Sequence, residues 1–255
     1  MTKLSAIVVA HNEEARLEAC LSRLGFTDEI VVVLDRCTDA SKSIAEKHGA
    51  LTLEGAWPIE GDRRHAGIEM CAGPWVLEVD ADEWIGPELA VEIRTAVLDD
   101  GFDLYFMPMR NHVGERWVRH GWMAALAPDL KGSLFRKGHK TWGRERVHPD
   151  VSFTGRRGPD FRNGIHHNFV SDISGLIGRF NRNTSLKAGD LAARGERLKT
   201  RSLARKSLSR FWKCYVARKG IREGGVGMVI SILSALYPLV SQLKAQEIMR
   251  RKSTG

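Results

Sequence analysis

The sequence predicts an α/β fold, a Rossmann-like and mostly parallel sheet with helices on both faces, followed by a helical, basic C-terminal region. Three observations predict it. Over the first hundred residues, continuous apolar runs of strand length alternate with stretches of helical periodicity. Those runs lack the in–out alternation of a half-exposed sheet, so both sheet faces must be covered. From residue 171 onward the pattern is helical with no further strand-like run.

The elements follow in order. Residues 4–10 (LSAIVVA) form a first strand that ends in the polar cluster His11, Asn12, Glu13 and Glu14. Leu17, Cys20, Leu21 and Leu24 then recur at helical spacing. Residues 30–34 (IVVVL) make a second strand running into Asp35, and Asp39 or Ser41 suits the N-cap of the next helix. Residues 51–53 are a short third strand. A helix around 63–71 leads into the fourth strand, 75–79 (WVLEV). Residues 87–98 read as a helix with Leu89, Ile93 and Val97 on one face and Pro87 in its first turn. Residues 103–109 read as a fifth strand. Residues 110–170 carry short strand candidates between glycines and prolines, with six histidines: His112, His120, His139, His148, His166 and His167. The expected division is 1–170, itself split near 110, and 171–255.

With 43% apolar and 27% charged residues the chain has the composition of a globular protein and not of a disordered one. Its net charge of +8 raises the question of a polyanionic partner. Residues 194–222 hold eleven basic residues and one acid, Glu196, a local net of +10, so the rest of the chain is near −2. One segment carries the basicity, and no general affinity for nucleic acid follows. Cys20, Cys37, Cys71 and Cys214 form no CxxC pair and no zinc spacing with histidine. Free thiols and an N-terminus that runs straight into a strand, with no secretory signal, place the expected compartment in the cytoplasm.

In open α/β sheets ligands bind beyond the carboxyl ends of the strands. Here those positions are residues 11–14, 35–39 and 80–83, all polar and two of them markedly acidic. In Val79-Asp80-Ala81-Asp82-Glu83, carboxylates at i and i+2 can face the same way from an extended backbone. Such oxygen ligands suit Mg²⁺ or Mn²⁺, which keep positions for water and substrate phosphates. A metal bridging them to a diphosphate would neutralise charge on a nucleotide leaving group. The competing role is an acidic loop capping the helix near Pro87; the place of the pair at the end of an apolar strand favours the ligand site. Asp35 is placed to accept from a base imide or a ribose hydroxyl, whereas Asp39 suits an Asx turn and N-cap. Glu13 can reach ribose or base, and Asn12 suits capping. No GxxxxGK[ST] or GxGxxG follows the first strand, which argues against a P-loop enzyme or a dinucleotide oxidoreductase.

In this order, HNEE, LDRCTDAS and WVLEVDADE resemble the motifs of glycosyltransferase family 2, the inverting enzymes of GT-A fold. The likeness is strongest in the first hundred residues. Many members carry an Asp-Asp-Gly-Ser-Thr-Asp turn, where this chain has Leu34-Asp35-Arg36-Cys37-Thr38-Asp39 and matches one aspartate of the pair. Within the family the chain is most similar to bacterial lipopolysaccharide-core glucosyltransferases, through Val147-His148-Pro149-Asp150, Gly164-Ile165-His166-His167 and the basic, aromatic C-terminal region. The resemblance implies a nucleotide-sugar half in 1–110 and an acceptor half in 110–170. It implies that Glu13, Asp35, Arg64 and Asp80 bind the nucleotide-sugar, a UDP-sugar such as UDP-glucose, and that Asp82 with Asp80 holds Mg²⁺ or Mn²⁺. Asp150 would be the general base, standing where the family has Glu, with Glu145 and His148 as rivals. His166 and His167 would lie on the acceptor side or be ordinary strand residues. Arg63 and Arg64 would meet the diphosphate or form a solvated face.

Residues 194–222 interleave cations with Leu198, Leu203, Leu208, Phe211, Trp212, Tyr215 and Val216, a pattern suited to an anionic membrane surface or to a solvated helix packed on the catalytic domain. Residues 224–243 carry no formal charge and have the length of a bilayer span. Gly224, Gly225, Gly227, Ser231, Ser234, Pro238 and Gln242 favour an interfacial or core helix instead. The expected partners are a nucleotide-sugar, a lipid-linked glycan acceptor and the cytoplasmic face of the inner membrane, with no nucleic acid. A polyprenyl-phosphate glycosyltransferase is the rival of the same fold. A nucleic-acid-binding protein using the basic stretch is the rival of another class.

Overall fold

The computed structural model describes residues 3–123, 126–144, 150–196 and 200–253. The elements are β1 (Leu4–Ala10), α1 (Glu14–Leu21), β2 (Glu29–Asp35), α2 (Ser41–Lys47), β3 (Leu51–Gly55), α3 (Glu60–Met70), β4 (Trp75–Asp80), β5 (Glu83–Trp84) and α4 (Pro87–Ala96). There follow β6 (Leu104–Val113), β7 (Arg116–Trp117), β8 (Leu130–Arg136), β9 (Lys140–Trp142), β10 (Val151–Phe153), β11 (Ile165–Val170), α5 (Ile173–Ala193), α6 (Thr200–Trp212) and α7 (Gly224–Ser253). The chain divides into two compact units, Met1–Met109 with Leu130–His167, and Arg110–Asp129 with Asn168–Gly255.

The first unit is built on a sheet of order β3-β2-β1-β4-β8-β6-β11-β5, with β6 and β11 running on past the unit's edges. The stretch β3-β2-β1-β4 is parallel. Beyond it β8 is antiparallel to β4, β6 to β8, and β11 to β5. The change has a simple cause. A parallel neighbour needs a crossover, usually a helix, and between α4 and α5 the described residues contain none.

Successive residues of a strand face opposite sides, and the core divides accordingly. Leu4, Ala6 and Val8 of β1 with Trp75, Leu77 and Val79 of β4 pack with Leu17 and Leu21 of α1 and Leu89 and Ile93 of α4. Ile7, Val9, Val31, Val33 and Val76 pack on the other face with Ile68 of α3 and Phe135. The helix α3 comes close because Gly67 has no side chain; a Cβ there would overlap Ile7 and Val33.

The second unit packs α7 against α5 and α6. Its core joins Val118, Trp122, Phe169, Leu176, Phe180, Ile230, Leu233 and Tyr237. Pro238 lies inside α7 and lacks the N–H that would bond the Ser234 carbonyl. Arg210 of α6 donates to that carbonyl instead, at 3.5 Å. The buried Glu223 carboxylate accepts from Arg116 at 2.8 Å and from the backbone N–H groups of Arg119 and His120 at 3.0 and 3.1 Å.

Candidate active site

On β4, Glu78 and Asp80 are two residues apart and so share the face that meets α3. Arg64, one turn before Gly67 on α3, reaches both. Its Nη1 donates to Glu78 Oε1 at 3.0 Å and its Nη2 to Asp80 Oδ1 at 2.9 Å, while Nε and Nη2 hold Glu60 Oε1 at 3.1 and 2.8 Å. The antiparallel register of β8 on β4 pairs Val76 with Phe135 and Leu77 with Leu134. Carried on, it sets Lys131 beside Asp80. The Lys131 ammonium donates to Asp80 Oδ2 at 2.8 Å and to Glu83 Oε1 and Oε2 at 2.8 and 2.7 Å. Glu83 Oε2 also accepts from the Asp80 backbone N–H at 2.9 Å, closing the turn after the strand. Behind Glu78 stand Lys140 and the Trp142 indole N–H, each at 3.0 Å.

The electrostatics follow from burial and charge order. Burial alone would raise the Asp80 pKa, but the adjacent Arg64 and Lys131 outweigh it and hold the carboxyl well below its ordinary value. Burial pushes Glu83 up to about 7, helped by the charges of Asp80 and Asp82 and opposed by Lys131. The buried Arg64 excludes the solvated-face expectation for that residue.

Asp82 lies past the end of β4, where the strand's two-residue period no longer applies, and its partner differs from that of Asp80. Asp82 Oδ2 stands 3.4 Å from His167 Nε2. His167 is placed there by the pairing of β11 with β5, His167 opposite Glu83 and His166 opposite Trp84. The His166 ring stacks on Trp84 with centroids 3.6 Å apart. The two groups contact each other, and a carboxylate oxygen beside an imidazole nitrogen is a donor pair that suits a divalent ion. Both Asp80 oxygens are already engaged by cations, Oδ1 by Arg64 and Oδ2 by Lys131, so a metal at Asp80 would share the carboxylate with them. Among the described residues no group of three His, Cys, Asp or Glu side chains surrounds a common point. Water and substrate phosphates would therefore fill the other positions, the usual habit of Mg²⁺ and Mn²⁺.

The ends of β1 and β2 are knitted together. Asn12, at φ 55°, accepts from the Thr38 N–H at 2.8 Å, and the Glu13 N–H donates to Ser41 Oγ at 3.0 Å. Asp39 accepts from the N–H groups of Ser41 and Glu14 at 3.0 and 2.9 Å, the first being the Asx turn its sequence suggests; the N-cap of α2 is Ala40 and neither Asp39 nor Ser41. Asp35 is fully buried. Its carboxylate accepts twice from Arg36, each at 2.9 Å, and once each from the Trp57 N–H and Arg63, both at 3.0 Å. These donors outweigh burial and lower its pKa. All four acceptor positions are used, so a base or ribose at Asp35 must displace Arg36 or Arg63. Arg36 is the more exposed of the two and sits at φ 53°.

Asp150 is exposed just before β10, and its carbonyl accepts from the Gly143 N–H at 2.6 Å across the mouth of the β9–β10 hairpin. The rival bases Glu145 and His148 lie outside the described residues. Reading the sequence alone misses Lys131, Glu78, Lys140 and Trp142. One signal was present: Glu78 interrupts an otherwise apolar strand, and a buried carboxylate requires a cationic partner.

The fold is that of the GT-A glycosyltransferases, a sheet whose parallel half ends in acidic turns and is extended by antiparallel strands. The chain belongs to glycosyl transferase family 2, whose sequence profile matches residues 5–159. It is 27% identical over 259 residues, 97% of this chain and 88% of the relative, to an uncharacterized glycosyltransferase of Rickettsia prowazekii (strain Madrid E). It is 24% identical over 265 residues, 94% of this chain and 91% of the relative, to the lipopolysaccharide core biosynthesis glycosyltransferase LpsC of Rhizobium meliloti (strain 1021). Among solved structures, S. aureus TarS superposes with a TM-score of 0.52 at 16% identity, over 98% of this chain and 54% of that one. The chain thus spans about half the length of that TarS chain, and the likeness speaks for the fold alone.

Proposed function

We propose that this glycosyltransferase moves a hexose, glucose from UDP-glucose, onto a lipopolysaccharide core or another lipid-linked glycan, with inversion at the anomeric carbon. The observation that carries the reading is the end of β4: Asp80 is clamped between two cations while Asp82 faces His167. Glu13 and Asp35 take the nucleoside, and Asp80 and Arg64 the donor sugar and diphosphate. Asp82 with His167, and Asp80 in competition with Lys131, would offer donors to Mg²⁺ or Mn²⁺. Held there, such an ion would supply positive charge to the departing diphosphate. Asp150 takes the proton from the acceptor hydroxyl as its oxygen bonds the anomeric carbon; the bond to the diphosphate breaks, and its electron pair leaves with the nucleotide.

The likeness to LpsC supports a core-glycan acceptor. The acceptor's lipid and the cations of 194–222 support a peripheral location on an anionic, cytoplasmic membrane face. Residues 1–170 serve catalysis in this reading, and 171–255 attachment. Thermal-shift titration with UDP, GDP, ADP and CDP, with and without Mn²⁺, tests the donor side. UDP should raise the midpoint most, and more with Mn²⁺. If no nucleoside diphosphate stabilises the protein further with metal, the reading fails.

A further inference from the structure

The second unit contains one helix, among the described residues, long and apolar enough to cross a membrane, residues 220–252. Its own contacts argue against that use. Half of its most apolar stretch is buried within the protein. Ile230, Leu233 and Tyr237 belong to the unit's core, and Ser231, Ser234, Ser241 and Gln242 are buried with them. Gln242 Nε2 donates to the Glu196 carbonyl at 3.0 Å. A helix that already covers two neighbours and buries four polar side chains would have to carry those polar groups into lipid to span a membrane.

On α7 Ile232, Leu236 and Leu243 remain 42, 37 and 49% exposed, and a second exposed apolar stripe lies on α6. On α6 and the π-helical turn after it (Lys213–Ala217), Leu203 and Cys214 are buried, while Leu208, Trp212 and Val216 are 73, 62 and 42% exposed. These three recur every four residues, and a π-turn, with its extra residue, keeps Val216 in line with the other two. Ile221, just beyond, is 59% exposed. Exposed Arg201 and Arg205 share the face of the stripe, exposed Lys206 and Lys213 lie to one side of it, and residues 200–222 contain no acid. Large apolar side chains, a tryptophan among them, with cations beside them and no acid form a surface whose complement is apolar below and anionic above. That is the interface of an anionic bilayer.

We infer that the protein docks on anionic lipid through the Leu208–Trp212–Val216 stripe, with α6 lying in the plane of the interface and α7 remaining a core helix. This rests on the reading of a lipid-linked acceptor and names the surface that attachment uses. Co-sedimentation of the full chain with vesicles of phosphatidylcholine, alone or with added phosphatidylglycerol, tests it without donor or acceptor. Its failure therefore leaves the nucleotide test untouched.

Binding should need phosphatidylglycerol and be reversed by high salt. Leu208→Ser, Trp212→Ser and Val216→Ser together should weaken it about tenfold or more, and Arg205→Glu with Lys206→Glu likewise. Both variants should keep the thermal midpoint and the UDP response, since the changed side chains are exposed. The inference is overturned by equal binding to phosphatidylcholine alone, by no binding, or by a triple variant that binds as wild type does. Resistance to salt extraction would assign the membrane contact to α7. Loss of self-association in the triple variant, seen by sedimentation velocity, would assign the stripe to a second copy. Tighter binding to duplex DNA than to vesicles at equal salt would assign it to nucleic acid.

Discussion

The Lys131 ammonium bridges Asp80 and Glu83, 2.8 Å from Asp80 Oδ2 and 2.7 Å from Glu83 Oε2. It places a fixed positive charge where a divalent ion would compete for the same carboxylate. Lys131→Met removes one partner of a buried ionic network, a change that costs about 3–5 kcal/mol. Urea unfolding without divalent ions should show that loss. Mn²⁺ should then stabilise the variant more than it stabilises wild type. A loss below about 1 kcal/mol, the range of surface pairs, would mean that the bridge holds little together.

Asp82→Ala deletes the carboxylate beside His167. Transfer should fall by about a hundredfold or more, the scale of several kcal/mol of charge stabilisation. The Mn²⁺-dependent part of the UDP thermal shift should vanish as well. His167→Ala should weaken the Mn²⁺ response by about 10–100-fold in affinity, the scale of groups that orient or assist a metal ligand. Unchanged Mn²⁺ titrations of both variants would move the metal elsewhere.

Asp150→Asn should lower kcat by about 10²–10⁴-fold and leave UDP binding as it was, because a general base acts on the acceptor proton. Single-turnover assays with saturating donor separate the two effects. A variant with full activity would favour an acceptor that is already an anion, as in a polyprenyl-phosphate transferase.

Burial raises Glu83 from 4.5 to about 7. Between those values the folded state holds a proton that the unfolded chain has lost. This group therefore adds stability at low pH, and the contribution declines as pH rises through about 7. Without divalent ions, the free energy of unfolding should fall by up to about 1.4 kcal/mol per pH unit over that window from this group. Glu83→Gln should flatten the slope in urea titrations between about pH 5 and 8. An unaltered slope would assign the dependence to another group.

Much of the candidate site is legible in the sequence. The end of β4 announces itself as an apolar run broken by Asp80 and Asp82, and the polar ends of β1 and β2 fall at the same edge of the sheet. Arg64 was legible as a candidate but its partners were not. Asp35 shows the same limit: its position past a strand is a sequence property, whereas its saturation by Arg36, Arg63 and Trp57 depends on how α3 and the 55–60 segment return to it.

By itself the sequence determined the α/β class, the parallel half of the sheet, and the acidic turn that begins at Asp80. Those depend on local periodicity, on the two-residue alternation of strands, and on where an apolar run stops. Only the tertiary structure decided that Lys131, 51 residues from Asp80, is its cation, that His167 faces Asp82, and that the apolar α7 is a core helix. The physical reason is that periodicity states which face a side chain occupies but not which strand lies beside it. Antiparallel pairing of β8 on β4 and of β11 on β5 chose those neighbours, and with them the charge that Asp80 and Asp82 can offer to a ligand.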